Sequence, residues 1–239
     1  MDRVDEVRAS LQRAISGTDG ERVVVALSTG SWDDLLELAG DGLLIALAQR
    51  AEGALVLARR CAKQLRKRAW EGDGDLAEQL DGSLGDRPIP MLRPLLVSLE
   101  ELAGILEGDP VYGGGRIDLR TGDVWPRAAI EYAREVGEED LDDEDSERWL
   151  AVWCEGSRAA YRDMEDFIEE TSDRDQAERL SIAISGSGAF RRFKDVLERW
   201  PDELEAWHTF SNERQRGRAR ARLASEGYSP RVPGRPTST

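Results

Sequence analysis

Along most of this chain apolar residues recur three and four positions apart, the spacing that lines one face of a helix. Val4, Leu11, Ala14 and Ile15 mark a first helix. Thr18 with Glu21 forms a capping box, which favours a helix through residues 23–27 over the strand their valines suggest. Short helices are expected at 33–38 with Gly40 as its stop, then at 42–49, 54–70 and 75–80. Gly20, Gly30, Gly40, Gly53, Gly72 and Gly82 punctuate this stretch at about ten-residue intervals, the rhythm of small antiparallel helices with glycine ends. Three prolines between 86 and 94 read as a linker.

Beyond the linker the pattern changes. Ser98 with Glu101 is a second capping box, opening a helix at 99–106. Ile117 and Leu119 alternate with polar residues, and Val124 follows a Thr121-Gly122-Asp123 turn, the mark of a β-hairpin. Pro126 suits the first turn of a short helix reaching Arg134. An acidic loop spans 137–147, and 149–154 is apolar enough to add a third strand. The last third is helical again. Residues 157–169 place Tyr161, Met164, Phe167 and Ile168 on one face, and 173–184 carry Ala177, Leu180 and Ile184. Ser185-Gly186-Ser187-Gly188 breaks the chain. Residues 189–200 follow, with Phe190, Phe193 and Leu197 as core candidates. Asp202 then caps a long helix to 226 anchored by Trp207 and Phe210. Residues 230–239 hold three prolines and no apolar pattern, and are expected to be disordered. The pattern predicts an α+β chain that is mostly α. A helical domain (1–90) precedes a small antiparallel sheet packed with several helices (91–228), and a tail covers 229–239.

Composition narrows the classes. The chain has 239 residues, 40 % hydrophobic and 34 % charged, ample for a core. Its longest apolar runs fall far short of the ~18 residues of a membrane helix. Residues 1–12 are charged and carry no signal-like segment, which argues against secretion by that route. Two cysteines make no disulfide scaffold. A single histidine, His208, excludes a multi-histidine metal site and leaves no triad to assemble around it.

Charge is unevenly laid out on a chain of net −15. Residues 131–178 hold 19 acidic and 5 basic side chains, and 211–239 hold 7 basic and 2 acidic. Between 59 and 68 six of ten residues are basic and none is acidic. Phosphates could meet that face at Arg59, Lys63, Arg66 and Lys67, or it is an ordinary solvated face. Cys61 among these cations is read as buried rather than reactive. The acidic run lacks the Asp-x-Asp-x-Asp-Gly spacing of a calcium loop, so no metal site is assigned. The alternating Arg214, Arg216, Arg218, Arg220 and Arg222 either balance acids within the fold or bind nucleic acid.

The run 184–197, Ile-Ser-Gly-Ser-Gly-Ala-Phe-Arg-Arg-Phe-Lys-Asp-Val-Leu, is distinctive. With Tyr161-Arg-Asp-Met-Glu-Asp-Phe167 before it and Trp207-His-Thr-Phe210 after it, the stretch 96–228 resembles uncharacterised protein family 0158. Members typically have a strand pair with a Thr-Gly turn, an acidic stretch, a Met-x-x-Phe helix, this Gly-x-Gly-Ala-Phe-Arg-Arg-Phe helix and a Trp-containing helix. The resemblance implies a bacterial cytoplasmic protein and no activity. The first ninety residues look like an added domain.

One constellation carries candidate chemistry. The Gly186-Ser187-Gly188 turn precedes a helix bearing Arg191, Arg192 and Lys194. A helix start offers free N–H groups and partial positive charge. Ser187, Gly188, Arg191, Arg192 and Lys194 are therefore candidates for holding a phosphate, on a small ligand or on nucleic acid. Alternatively the motif is structural: Met164, Phe167, Gly186, Phe190, Phe193, Trp207 and Phe210 build a packed corner, and the arginines pair with Asp163, Glu165 and Asp166. The chain would then be a protein–protein adaptor working through its helical first domain. No catalytic residues and no cofactor are assigned.

Overall fold

The computed structural model describes residues 3–88, 90–108, 113–137, 145 and 147–231. Most of the acidic run and the tail from 232 lie outside these residues. The described chain is mostly helical and forms two compact units. The first comprises residues 1–103, 118–124 and 215–239, and the second residues 104–117 and 125–214.

The first unit is built on α1 (Arg3–Ser16), α2 (Gly20–Thr29), α3 (Leu36–Ala48), α4 (Ala54–Arg68) and α5 (Asp73–Leu84). Their apolar stripes meet in one aliphatic core that includes Leu11, Val23, Leu43, Leu65, Leu76 and Leu80, with Trp32 buried among them. Two expectations are corrected here. Asp19, not Thr18, caps α2: its side chain accepts from the Arg22 N–H at 3.1 Å, while Thr18 turns into positive φ. The stretch 36–48 is one helix, and Gly40 does not stop it. A Cβ on Gly40 would sit 2.5 Å from Leu76 Cδ2, and one on Gly42 3.0 Å from Val23 Cγ1. Both glycines serve close helix packing rather than termination.

The same unit contains β1 (Arg93–Leu95), β5 (Tyr228–Pro230) and residues 215–225 of α11 (Pro201–Ser225). β1 and β5 pair in parallel, with Arg93 opposite Tyr228 and Leu95 opposite Pro230. The end of the linker and the start of the tail are therefore ordered strand, because each supplies the other's hydrogen bonds. Gly72 and Gly217 touch backbone to backbone: a Cβ on Gly217 would lie 2.2 Å from the Glu71 carbonyl oxygen. This approach brings Arg216 and Arg220 onto α3. Arg220 is fully buried and donates to Glu37 Oε2 (2.9 Å), Asp41 Oδ1 (2.7 Å) and Gln79 Oε1 (3.2 Å). Arg216 bonds Asp41 and reaches Glu100 at 3.0 Å. Burial alone would push Asp41 up, but Arg220 and Arg216 outweigh it and hold its carboxyl below the usual range. The arginine-rich stretch thus balances acids inside the fold.

α6 (Leu99–Leu106) begins with the expected cap, Ser98 Oγ accepting from the Glu101 N–H at 3.2 Å. The hairpin is present as β2 (Gly115–Asp118) and β3 (Val124–Pro126), and β4 (Trp149–Val152) adds the third strand in the order β3-β2-β4. α7 (Arg127–Val136) follows Pro126. In the second unit α8 (Ser157–Glu170), α9 (Arg174–Ile184), α10 (Ala189–Leu197) and residues 201–214 of α11 enclose an aromatic cluster. Phe193 and Trp207 lie 4.8 Å apart, and Phe167 lies 5.3 Å from Trp207 and 5.6 Å from Phe210, all edge-on. Met164 and Leu180 are fully buried in the same unit.

Candidate functional site

A helix leaves its last four carbonyls without partners in the helix itself. In α9 all four are supplied. Ser185 contributes twice, its hydroxyl donating to the Ser181 carbonyl (3.1 Å) and its N–H to that of Ile182 (3.3 Å). Arg192 Nε donates to the Ala183 carbonyl at 2.9 Å, and the Tyr161 hydroxyl to that of Ile184 at 3.1 Å. The glycines at 186 and 188 adopt φ +81° and +75°, which reverses the chain sharply enough for Arg192 to fold back over the turn. Its remaining donors meet the turn carbonyls, Ser185 at 2.7 Å, Gly186 at 3.4 Å, and Ser187. A cation also suits the negative end of the α9 dipole. Arg192 is thus a side-chain cap closing the α9–α10 corner.

The other candidates sit differently. Arg191 is 89 % exposed and faces Asp195 one turn on, at 3.9 Å. Lys194, Ser187 and Gly188 are exposed. Gly188 occupies the N-cap position of α10 in the left-handed region, and no side chain among the described residues caps that end. Phe193 is in the core, but Phe190 is 38 % exposed, because the buried stripe of α10 runs through Ala189, Phe193 and Leu197 and Phe190 lies off it. The expected pairing of the arginine pair with Asp163 and Asp166 is not what forms. Arg214 takes both, at 2.9 and 2.6 Å, and Arg192 is spent on carbonyls.

The basic face of α4 is largely matched by carboxylates of its own unit. Arg59 grips Asp86 with two hydrogen bonds, which raises the guanidinium and lowers the carboxyl. Arg60 bonds Asp33 at 2.8 Å and lies over the Trp32 ring, 4.5 Å from its centroid. Arg66 pairs with Asp81, and Arg68 holds Asp73 at 2.7 Å. Cys61 is buried beneath, its thiol directed at the Leu36 carbonyl. In the sequence these arginines stand as one cationic stripe, because the acids that match them come from residues 5 to 27 positions away. Exposed aliphatic side chains stand at the start of the same helix: Leu55 is 54 % and Val56 73 % exposed, and Val25 on α2 is 61 % exposed.

Among the described residues no group of three or more His, Cys, Asp or Glu side chains is placed to hold a metal ion, and His208 is exposed. No helix among them is long and apolar enough to cross a membrane.

Comparison with known proteins shows what these features resemble. Residues 132–232 match the family model described as Uncharacterised protein family (UPF0158). The chain is 26 % identical over 150 residues to the UPF0158 protein PA5073 of Pseudomonas aeruginosa, an alignment covering 62 % of this chain and 94 % of that protein. No solved structure matches. The matched residues 132–232 contain the whole Tyr161–Arg192 corner, and the family they resemble is of unknown function. The N-terminal helices lie outside the matched segment.

Proposed function

We propose that this chain is a cytoplasmic protein–protein adaptor whose helical first domain, residues 1–90, carries the partner-binding surface. The Gly-Ser-Gly turn and its arginines serve as architecture. The observation that carries this reading is the guanidinium of Arg192, whose donors go to the carbonyls of Ala183, Ser185, Gly186 and Ser187. An arginine so engaged has little left for a phosphate. The basic face of α4 supports the same reading, since most of its arginines already face carboxylates. The exposed Val25, Leu55 and Val56 are an apolar surface of the sort partners cover.

A second reading keeps a phosphate-bearing ligand or nucleic acid at the start of α10. It is favoured by the absence of a side-chain cap there and by the exposure of Ser187, Arg191 and Lys194. One comparison separates the two. Wild type, Val25→Asp/Val56→Asp and Arg191→Ala/Lys194→Ala are each used as bait in cell extract. Each is also titrated against a labelled random-sequence RNA and its DNA equivalent at two salt concentrations, with circular dichroism to confirm folding. The adaptor reading expects a protein retained by wild type and by the α10 variant but lost by the aliphatic variant, and no nucleic-acid binding. Salt-sensitive RNA or DNA binding, lost only in the folded α10 variant, overturns it in favour of the second reading.

A further inference from the structure

We infer that the exposed face of α4 docks an acidic amphipathic helix from a partner protein, an inference that rests on the adaptor reading and names its partner class. Val56, Arg60, Lys63 and Lys67 follow one another at steps of four, three and four, so they share one stripe of α4. All four are exposed. The stripe is apolar at its first turn, where Leu55 joins Val56, and cationic over the next turns. α2 meets this apolar end: Val24 Cγ1 lies 3.4 Å from where a Cβ on Gly53 would stand, and Val25 beside it is exposed.

The charge arrangement selects the occupant. Arg60 is matched by Asp33, and Arg59 on the neighbouring row by Asp86. Lys63 and Lys67, two of the three lysines in the chain, form no ion pair among the described residues. The uncompensated charge is therefore small and local, two ammonium groups one turn apart beyond an aliphatic head. A helix with one or two aliphatic residues at one end and carboxylates on the same face over about 16 Å complements it. A nucleic acid does not, because its continuous charge would meet the Asp33 and Asp86 carboxylates and the exposed head offers no aromatic ring for stacking. An anionic membrane meets the same two carboxylates and finds no exposed aromatic anchor on this face among the described residues.

The test uses the full chain and a fluorescein-labelled helical peptide of about five turns, with leucines in its first turn and glutamates along the same face. Control peptides carry lysine for glutamate, or alanine for leucine. Random-sequence RNA and anionic phosphatidylserine vesicles complete the set. By anisotropy the acidic peptide is expected to bind with Kd on the order of 10–100 micromolar. Val56→Asp and Lys63→Glu/Lys67→Glu should each weaken it about tenfold or more, while Arg191→Glu leaves it unchanged. The lysine peptide should not bind, and the alanine peptide should bind more weakly. These positions are exposed, so the variants are expected to keep the wild-type circular dichroism. Failure of the acidic peptide to bind overturns the inference. So do binding indifferent to both variants, equal binding of the lysine peptide, or capture of RNA or vesicles instead. If the peptide fails while Val25→Asp/Val56→Asp still abolishes protein capture, the acidic helix falls and the adaptor reading stands. If that capture is also unchanged, both fall.

Discussion

Arg220 in the first unit and Arg192 in the second are both consumed by the chain itself, but by different acceptors. Arg220 is fully buried against two carboxylates and an amide, and its Glu37 partner lies 183 residues away in sequence. Arg192 is partly exposed, touches no carboxylate among the described residues, and its helix-end acceptor Ala183 lies nine residues away. The first arginine solves an electrostatic problem created by burying Glu37 and Asp41. The second solves a hydrogen-bonding problem created by ending a helix at a sharp turn. A buried charge without its counter-charge is costly, whereas a half-exposed carbonyl without its donor can turn to water. The two sites should therefore respond to mutation on different scales.

The largest effect is expected at Arg220. Arg220→Met leaves Glu37 buried without its guanidinium and Asp41 with Arg216 alone, and should cost about 3–5 kcal/mol in urea unfolding followed by circular dichroism. Arg220→Met/Glu37→Gln should recover part of that loss, because the orphaned charge is removed as well. A single-variant cost below about 1 kcal/mol, as at a surface pair, would erase the contrast with Arg192.

Arg192→Ala comes next, at about 1.5–3 kcal/mol, the scale of losing hydrogen bonds to a charged donor. Arg192→Lys should restore little of it. An ammonium is a point charge and cannot span the Ala183, Ser185 and Ser187 carbonyls as a planar fork does. Full rescue by lysine would mean that charge alone, and not the capping geometry, is what the corner uses.

Acid separates the two arginine sites further. Asp41 has a folded-state pKa held below its unfolded value, so its contribution is fully present above about pH 3.9. It is lost as pH falls from there through the depressed value. Wild-type stability should decline over that window, and Asp41→Asn, already destabilised at neutral pH, should decline less. Among the described residues no carboxylate serves Arg192, so the deficit of Arg192→Ala relative to wild type should be nearly constant across the same range.

The same contrast explains what was legible in the sequence. The Ser98 cap, the Thr121-Gly122-Asp123 hairpin and the Met164/Phe167, Phe193 and Trp207/Phe210 stripes are local patterns, and local patterns fix local structure. The turn at 185–188 was legible as a break before a helix. That Arg192 folds back while Arg191 stays in solvent was not, because helix phase relative to a glycine turn depends on backbone angles no residue type specifies. The Gly40 stop failed for a related reason, since a glycine at a helix end and one beneath Leu76 look alike in sequence. The β1–β5 pair and the Arg220 network join segments more than 130 residues apart, and nothing in either segment announces the other.

Asp75 gives the smallest effect and the opposite sign to Asp41. It sits in the first turn of α5, half-buried, and burial raises its pKa first, with the neighbouring Glu78 adding to this while Arg220 opposes it. The folded state therefore binds the Asp75 proton more tightly than the unfolded chain does. Ionised Asp75 is a penalty on folding at neutral pH, relieved as pH falls through its raised value. Asp75→Asn should stabilise the protein at neutral pH, by no more than about 0.5 kcal/mol given its exposure. The gain should shrink in acid, where wild type is protonated too. In an Arg220→Met background the opposing cation is gone, so the Asp75→Asn gain should grow. A gain of the same size in both backgrounds would mean that Arg220 acts on Glu37 and Asp41 alone, confining the charge problem of the first unit to α3 and α11.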